Sequence, residues 1–143
     1  MEISDLDMVC KLENSIFPDP WSRDNFLYEI EKNERSSPNV ALDGQAIIGY
    51  SVHWCLDIEA HIANFAVDNN FRRRNVGSFL LGYVISDIVQ KKIHKIYLEL
   101  RSSNLAAKNL YVKHGFQMDG IRKNYYLKQK DDAILMSLTL KEG

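Results

Sequence analysis

The segment that decides the fold lies at residues 71–81 and reads FRRRNVGSFLL. The apolar run before it, residues 62–68, is typical of a strand, and residues 78–91 after it carry the apolar spacing of a helix. A strand, a basic turn with small residues and a helix start form a typical phosphate-binding arrangement, because the first N–H groups of a helix have no partner within it. The segment therefore predicts an anion site at a helix N-terminus.

Consecutive arginines, Arg72, Arg73 and Arg74, place positive charge beside this helix start. Guanidinium groups offer forked donors to phosphate oxygens. A run of arginines also occurs in turns that only face water, and the residues alone leave that alternative open. The common nucleotide loops are excluded, because neither Gly-Lys-Ser/Thr nor Gly-x-Gly-x-x-Gly occurs here.

The bulk composition indicates one soluble globular domain, which we expect to span residues 1–143. The chain has 143 residues, of which 45% are apolar and 26% are charged, as in an ordinary globular protein. Its formal net charge of −1 does not suit a generally basic nucleic-acid binder. No apolar run approaches the roughly 20 residues of a membrane helix. We expect no nucleic-acid or membrane partner, and a monomer or weak dimer.

The cysteines and the start of the chain indicate a cytoplasmic protein. Cys10 and Cys55 are the only cysteines and lack the spacing of metal ligands, and the histidines also show no such spacing. No basic-then-apolar leader follows Met1. We therefore expect reduced thiols and no metal cofactor, with Cys55 as a small core residue rather than an acyl-carrying nucleophile.

The apolar spacing and the turn signals predict two helices, three strands, a helix, a strand, a helix and two strands. Ser4 and Ser22 are the expected caps of the first two helices, Asp43-Gly44 marks a hairpin, and Asp131-Asp132 marks the last turn. The predicted strands cover residues 40–42, 46–54, 59–68, 95–101, 116–127 and 133–140. This order predicts an α/β fold with a mixed sheet.

The basic turn resembles the pyrophosphate loop of the GCN5-related N-acetyltransferases (GNAT), whose pattern is Arg/Gln-x-x-Gly-x-Gly/Ala. Arg72 takes the first place and Gly77 the last, while Asn75 replaces the first glycine. Asn tolerates left-handed backbone better than other non-glycine residues, so we expect the turn to persist. The resemblance implies acetyl-CoA as cosubstrate and a mostly antiparallel sheet with helices on both faces. It also implies a first strand that is short or missing here, because only residues 1–3 precede the first helix.

The candidate base is Glu99, in the predicted strand 95–101. It faces away from the apolar Leu98 and Leu100, and sheets of this kind bind ligands at the carboxyl ends of their strands. An acid on the water side of a half-buried strand is the alternative.

The candidate acid is Tyr111, which shares a helical face with Asn104 and Lys108. A phenol has a reference pKa of about 10, close enough to the value of about 8.5 for a thiol to donate a proton to a departing thiolate. The alternative is a core aromatic packed beside Leu110 and Phe116.

Longer matches resemble the RimI branch of the superfamily, bacterial enzymes that acetylate the N-terminal alanine of a small-subunit ribosomal protein. They run in the same order over about residues 6–140: FPxPWS at 17–22, FAV at 65–67, LELRxSN at 98–104, LYxxxGF at 110–116, RKNYY at 122–126 and DAI at 132–134. Asn75, Phe65 and the shortened start are departures from the branch.

This resemblance implies roles for individual residues. Glu99 would accept the proton and Tyr111 would donate one. Acetyl-CoA would be held by Phe65, Ala66, Val67, Arg72, Arg73, Arg74, Asn75, Val76, Gly77, Ser78 and Asn104. The slot for the peptide would be lined by Phe17, Trp21, Tyr125 and Tyr126, although each of these aromatics also has a purely structural alternative.

The chemistry agrees with an α-amine acceptor. An α-amine has a pKa of about 7.7–8, so roughly a fifth to a quarter of it is neutral near pH 7.3, against roughly one part in a thousand for a free lysine. One carboxylate acting through water is a plausible base for such an amine. The partner expected is a protein or peptide with a free N-terminus, from a ribosomal protein. Two other functions stay open: an acetyltransferase of lysine or small amines, and a non-catalytic CoA-binding module.

Overall fold

The computed structural model describes residues 1–72, 74–126 and 131–140. It confirms the predicted order of elements. The helices are α1 (Leu6–Ile16), α2 (Arg23–Glu31), α3 (Val76–Gln90) and α4 (Leu105–Lys113), and the strands are β1 (Ser36–Asp43), β2 (Ala46–Leu56), β3 (Glu59–Val67), β4 (Lys95–Arg101), β5 (Gln117–Tyr126) and β6 (Asp131–Thr139). Short 3-10 turns lie at Ile3–Asp5 and Asn69–Phe71. None of the helices in these ranges is long and apolar enough to cross a membrane.

The six strands form one sheet in the order β1-β2-β3-β4-β6-β5. Only β3 and β4 run parallel, so the sheet is mixed and mostly antiparallel, as predicted. The described residues before α1 contain no strand; instead the ammonium group of Met1 donates a hydrogen bond to the carbonyl oxygen of Pro38 in β1, at 3.0 Å. This agrees with the expectation that the first strand is short or missing.

The helices cover both faces of the sheet. On one face α1 and α2 pack through Leu6, Val9 and Phe26 against Tyr50 and Val52 of β2. On the other face the apolar stripe of α3 and the buried side of α4 pack on the central strands, through Leu81, Val84, Ile88, Ile96, Leu98 and Tyr111. The sheet is thus a rigid layer between two cores, and its strand ends are held from both sides.

Some local predictions were wrong for identifiable reasons. Ser4 does not cap α1, because a 3-10 turn precedes the helix and Asp5 accepts the N–H of Glu2 at 2.7 Å. Asp131 and Asp132 belong to β6 rather than to a turn, since Asp131 pairs with Tyr126 and accepts hydrogen bonds from the loop after β4. Residue 127, the predicted end of β5, lies outside the described residues.

Strand β1 is longer than the sequence indicates. It begins at Ser36 and includes Pro38, which has no N–H for a strand ladder. Because β1 is an edge strand, one side of its backbone needs no strand partner, and proline is tolerated there. By contrast, Ser22 caps α2 as predicted, accepting the N–H of Asn25 at 3.1 Å.

The parallel pairing of β3 with β4 is short, and this positions the site. The two strands pair only at Ala60 with Ile96 and at His61 with Tyr97. Just beyond, β3 carries a bulge: Val52 and His53 of β2 pair with Asn64 and Ile62, so Ala63 is an extra residue. The carboxyl ends of β3 and β4 are left without mutual hydrogen bonds, and a cleft opens between them.

Candidate active site

The cleft consists of two adjoining cavities. The first, of about 230 Å³, lies against the loop between α1 and α2, and the second, of about 420 Å³, lies against the start of α3. Phe17, Phe65, Asn104 and Ala107 line both cavities. We call them the peptide-side cavity and the loop-side cavity. Because they share these walls, a ligand in one can reach a ligand in the other.

The loop-side cavity brings together most of the predicted cofactor-binding residues. Its lining includes Phe65, Ala66, Val67, Arg72, Asn75, Val76, Gly77, Ser78 and Asn104. Arg74 is not part of the lining; it is exposed, with its guanidinium carbon 5.3 Å from the centre of the Phe71 ring. Arg73 lies outside the described residues. The structure therefore groups nine of the eleven predicted residues around one cavity.

The start of α3 has the geometry of an anion site. The helix begins at Val76, two residues earlier than the sequence suggests, and Asn75 caps it with left-handed backbone, at a φ of 62°. The amide of Phe79 donates to the carbonyl oxygen of Asn75 at 3.0 Å. The amides of residues 76–78 precede that bond and have no partner within the helix, so they are available to a phosphate. Asn75 thus occupies the conformation that the replaced glycine would favour.

At Gly77 packing, rather than backbone conformation, leaves little room for a side chain. A Cβ added there would lie 3.1 Å from Cδ2 of Leu110 in α4 and 3.9 Å from Cγ2 of Val67 in β3. The first turn of α3 therefore sits directly against β3 and α4, the elements that line the rest of the loop-side cavity. A side chain at this position would require Leu110 or that turn to shift.

Glu99 and Tyr111, the predicted base and acid, both line the peptide-side cavity. Glu99 lies in β4 with an exposed side chain, whereas Tyr111 lies in α4 and is 5% exposed. An exposed carboxylate can exchange a proton with water, and a buried phenol is shielded from it. Both side chains therefore border the same cavity, one open to water and the other shielded from it.

Tyr111 is both a core residue and a cavity wall. Its ring centre lies 6.0 Å from that of Phe65 and 5.5 Å from that of Phe116, so the packing alternative is also satisfied. Burial raises the pKa of Tyr111, which keeps the phenol protonated across the neutral range.

Backbone amides of β3 point into the cleft. The amide of Asp68, the residue after β3, donates to the carbonyl oxygen of Ile48 in β2 at 2.8 Å. Backbone groups alternate in direction along a strand, so the amides of Val67 and Phe65 point away from β2, towards β4. Donors placed at the junction of the two cavities are suited to polarising a carbonyl oxygen bound there.

The predicted peptide wall is formed in part. Phe17, Trp21 and Tyr126 line the peptide-side cavity, and Trp21 packs on Phe26 with ring centres 5.2 Å apart. Tyr125 is not in the lining; it is half exposed and contacts Tyr126 edge to face, with ring centres 5.1 Å apart. Tyr125 therefore supports the wall from outside instead of forming it.

Sequence reasoning missed an ion pair across the mouth of this cavity. Arg101, at the end of β4, contacts Asp19 of the α1–α2 loop at 2.6 Å, and its guanidinium carbon lies 3.9 Å from the centre of the Tyr126 ring. Both charged residues fall within motifs that the sequence singles out, but nothing in the sequence pairs them. The contact ties the loop, β4 and β5 together around the cavity.

Sequence reasoning also missed Glu13, a fully buried residue in the lining. A signal was available: Glu13 follows Val9 by four residues and so falls on the apolar face of α1. A charged residue on the buried side of a helix requires polar partners.

A second polar cluster lies away from the cleft, beneath α3. His53, Cys55 and Asp87 place ligand-type atoms within 4.8 Å of one another. Oδ2 of Asp87 already contacts Nε2 of His53 at 2.7 Å and Nζ of Lys91 at 3.1 Å. Burial lowers the pKa of His53 despite the carboxylate beside it. We interpret the contact between buried His53 and partly exposed Asp87 as a hydrogen bond that anchors α3 to β2.

Comparison with known proteins identifies the family. Residues 6–116 match the acetyltransferase (GNAT) family. The chain belongs to this family. A Bacillus subtilis relative, provisionally named [ribosomal protein bS18]-alanine N-acetyltransferase, is 34% identical over 142 residues, which cover 99% of this chain and 94% of the relative.

Solved GNAT structures share the fold. The crystal structure of the ribosomal-protein-S18-alanine N-acetyltransferase from Escherichia coli has a TM-score of 0.90 at 29% identity, covering 100% of this chain and 92% of that one. A GNAT acetyltransferase from Elizabethkingia anophelis with acetyl-CoA bound has a TM-score of 0.71 at 25% identity, covering 83% of this chain and 84% of that one. GNAT proteins use acetyl-CoA, and the loop-side cavity, with its free amides, Arg72 and an apolar wall, suits such a ligand.

Proposed function

We propose that the protein transfers the acetyl group of acetyl-CoA to the N-terminal α-amine of a protein, and that the natural acceptor is the N-terminal alanine of ribosomal protein bS18. The observation that carries this proposal is one cleft that joins a phosphate-type helix start to Glu99 and Tyr111. The choice of acceptor is supported by the relatives, which match almost end to end.

In the proposed reaction the loop-side cavity holds acetyl-CoA. The amides of residues 76–78 and the guanidinium of Arg72 bind its phosphates, and the pantetheine arm runs along β3 towards Phe65. The amide of Phe65 or Val67 donates to the thioester oxygen and stabilises the charge that develops there. Asn104, whose side chain accepts the amide of Ala107 at 3.2 Å, holds the start of α4 at the junction.

The peptide enters from the other side. Phe17, Trp21 and Tyr126 form the walls around its first residue. Glu99 takes a proton from the ammonium group, directly or through water, and the neutral nitrogen attacks the thioester carbon. As the new C–N bond forms, the C–S bond breaks, and Tyr111 gives its proton to the departing sulfur. The nitrogen then loses its second proton, which returns to the Tyr111 oxygen directly or through water, and Glu99 releases its proton to water. Transfer is direct, without an acyl-cysteine; both free cysteines, Cys10 and Cys55, lie outside the lining of the two cavities.

Retention of both proton-transfer groups argues against a CoA-binding module without activity, which needs neither. We further propose that the protein acts in the cytoplasm as a monomer or weak dimer, where new ribosomal proteins are available, and that it needs neither a metal nor nucleic acid.

A panel of peptides tests the proposal. An alanine-initiated peptide with an internal lysine should gain one acetyl group on its α-amine, located by fragmentation mass spectrometry. The same peptide with its α-amine blocked should gain none. Acetylation of the blocked peptide at lysine would indicate a lysine acetyltransferase, and tight CoA binding with no acetylated peptide would indicate the non-catalytic function.

A further inference from the structure

The carboxyl group of Glu13 links the two walls of the peptide-side cavity. Glu13 lies on α1 and is 1% exposed. Its Oε1 accepts the hydroxyl of Tyr50 in β2 at 2.7 Å and Nδ2 of Asn64 in β3 at 3.0 Å. Its Oε2 accepts the backbone N–H of Trp21 at 2.8 Å. One side chain therefore connects α1, two neighbouring strands and the loop that leads into α2.

The hydrogen bond to Asn64 lies at the bulge of β3, where the alternation of the backbone groups shifts by one residue. Asn64 directly follows the extra residue Ala63 and directly precedes Phe65. A bulge decides which backbone groups face each side of a strand, so a slip of one residue would turn the Phe65 amide away from the cleft. The contact with Glu13 holds Asn64 on the α1 side and thereby keeps the Phe65 amide directed towards β4.

The bond to Trp21 acts on the opposite wall. Trp21 lines the cavity just before Ser22, the cap of α2, and the loop has two prolines nearby that leave few backbone donors. The Trp21 N–H is one of those donors, and Glu13 fixes its direction. Burial and the adjoining Glu13 carboxylate raise the pKa of Tyr50, so its hydroxyl remains a donor to the same group.

Moving a carboxyl group out of water costs free energy. A carboxyl group buried beside the reaction site is therefore expected to have a function there. We propose that Glu13 is a positioning residue, which sets the distance between the Trp21 wall and the β3 amides and so aligns the peptide amine with the thioester. This inference rests on the proposed function. It adds a residue that neither touches the acetyl group nor transfers a proton.

A second buried glutamate provides a matched control. Glu29 on α2 is 6% exposed and accepts Nε1 of Trp54 at 3.0 Å and Nδ2 of Asn33 at 2.8 Å. It lies outside the lining of both cavities. Glu13→Ala and Glu29→Ala each remove a buried carboxyl with a tryptophan and an asparagine partner, and both should lower the melting temperature.

The kinetics should separate the two variants. Per folded molecule, we expect Glu13→Ala to lower kcat/KM for the peptide at least about tenfold, since misplacing reacting groups by a fraction of an ångström has effects of that order. Glu29→Ala should stay within about twofold of the wild type. Calorimetric titration should give similar acetyl-CoA affinities for both. Glu13→Gln, which keeps one acceptor oxygen, should recover part of the rate.

Asn64→Ala keeps the inference testable if Glu13→Ala fails to fold. It releases only the β3 wall, so kcat should fall while KM for the peptide stays close to the wild-type value. Equal kinetics per folded molecule for the Glu13 and Glu29 variants, or an unchanged kcat in Asn64→Ala, would overturn the proposal and leave Glu13 as a stabilising residue. If the wild type does not acetylate alanine-initiated peptides, the proposed function fails instead, and the variants are compared on whichever amine the wild type accepts.

Discussion

Tyr111→Phe separates catalysis from packing at the residue where the two overlap most. The substitution deletes one hydroxyl and keeps the ring, so the contacts with Phe65 and Phe116 are preserved. We therefore expect a loss of stability of no more than about 1 kcal/mol, the usual size for removing one polar group without opening a large cavity.

The expected effect on rate is much larger than this stability loss. Without the phenol proton the thiolate must leave as an anion inside a buried cavity, and general acid catalysis commonly contributes about 10²–10⁴ in rate. A tenfold loss of rate is the smallest loss that the acid role of Tyr111 predicts. It corresponds to about 1.4 kcal/mol of activation free energy. Acetyl-CoA affinity should change little, because Tyr111 lines the peptide-side cavity and not the loop-side cavity.

The assay combines a melting curve with the rate of thiol release under saturating acetyl-CoA and peptide. An acetyl thioester with a more acidic leaving thiol serves as the control, and it should recover much of the lost rate, since it depends less on protonation. A Phe variant that melts early yet is fully active per folded molecule would refute the assignment and leave Tyr111 as a packing residue.

Glu99→Gln should leave folding and acetyl-CoA affinity nearly unchanged but lower turnover by about 10²–10³ at pH 7. The loss should shrink as the pH passes the amine pKa of about 8, because neutral amine is then available without a base. Wild-type turnover of this variant at pH 7 would show that another group accepts the proton of the amine. Gly77→Val should weaken acetyl-CoA binding at least about tenfold in a calorimetric titration, because the added carbons would crowd the first turn of α3 against Leu110 and Val67. Unchanged affinity would remove the loop assignment. Arg72→Ala should weaken acetyl-CoA binding more than Arg74→Ala does, and should make the binding less dependent on salt, because of these two arginines only Arg72 lines the loop-side cavity. Equal losses of affinity in the two variants would contradict this prediction. Burial lowers the pKa of His53, so this side chain binds a proton at higher pH in the unfolded protein than in the folded one. The free energy of unfolding should therefore fall as the pH is lowered from about 7 to about 5. Denaturant titrations of His53→Gln should show a weaker dependence of this free energy on pH.

Much of the fold follows from local sequence. The bounds of β4, Lys95–Arg101, were predicted correctly, because its residues alternate cleanly between apolar and polar. The sequence offers Ser103 or Asn104 as the cap of α4 and Gly115 as the left-handed residue that follows the helix. In the structure Asn104 accepts the amide of Ala107, and Gly115 has a φ of 97°. Signals of this kind depend on neighbours within a few residues, which the sequence displays directly.

What escaped prediction depends on contacts between distant residues. The start of β1 is polar and contains proline, and it becomes a strand only through pairing with β2. Arg101 and Asp19 are 82 positions apart, and Glu13 and Asn64 are 51 apart, so no local pattern links them. The position of Arg74 outside the lining likewise depends on how α3 starts, which the run of three arginines does not reveal.

The most direct test of the account uses the proposed acceptor itself. Ribosomal protein bS18 with an unblocked N-terminal alanine is incubated with acetyl-CoA and either the wild type or Glu99→Gln, and the product is fragmented and analysed by mass spectrometry. We predict one acetyl group per molecule, on the alanine amine, formed at least about a hundredfold faster with the wild type. Acetylation only at lysine side chains, or none with a protein that is folded and binds acetyl-CoA, would contradict the account.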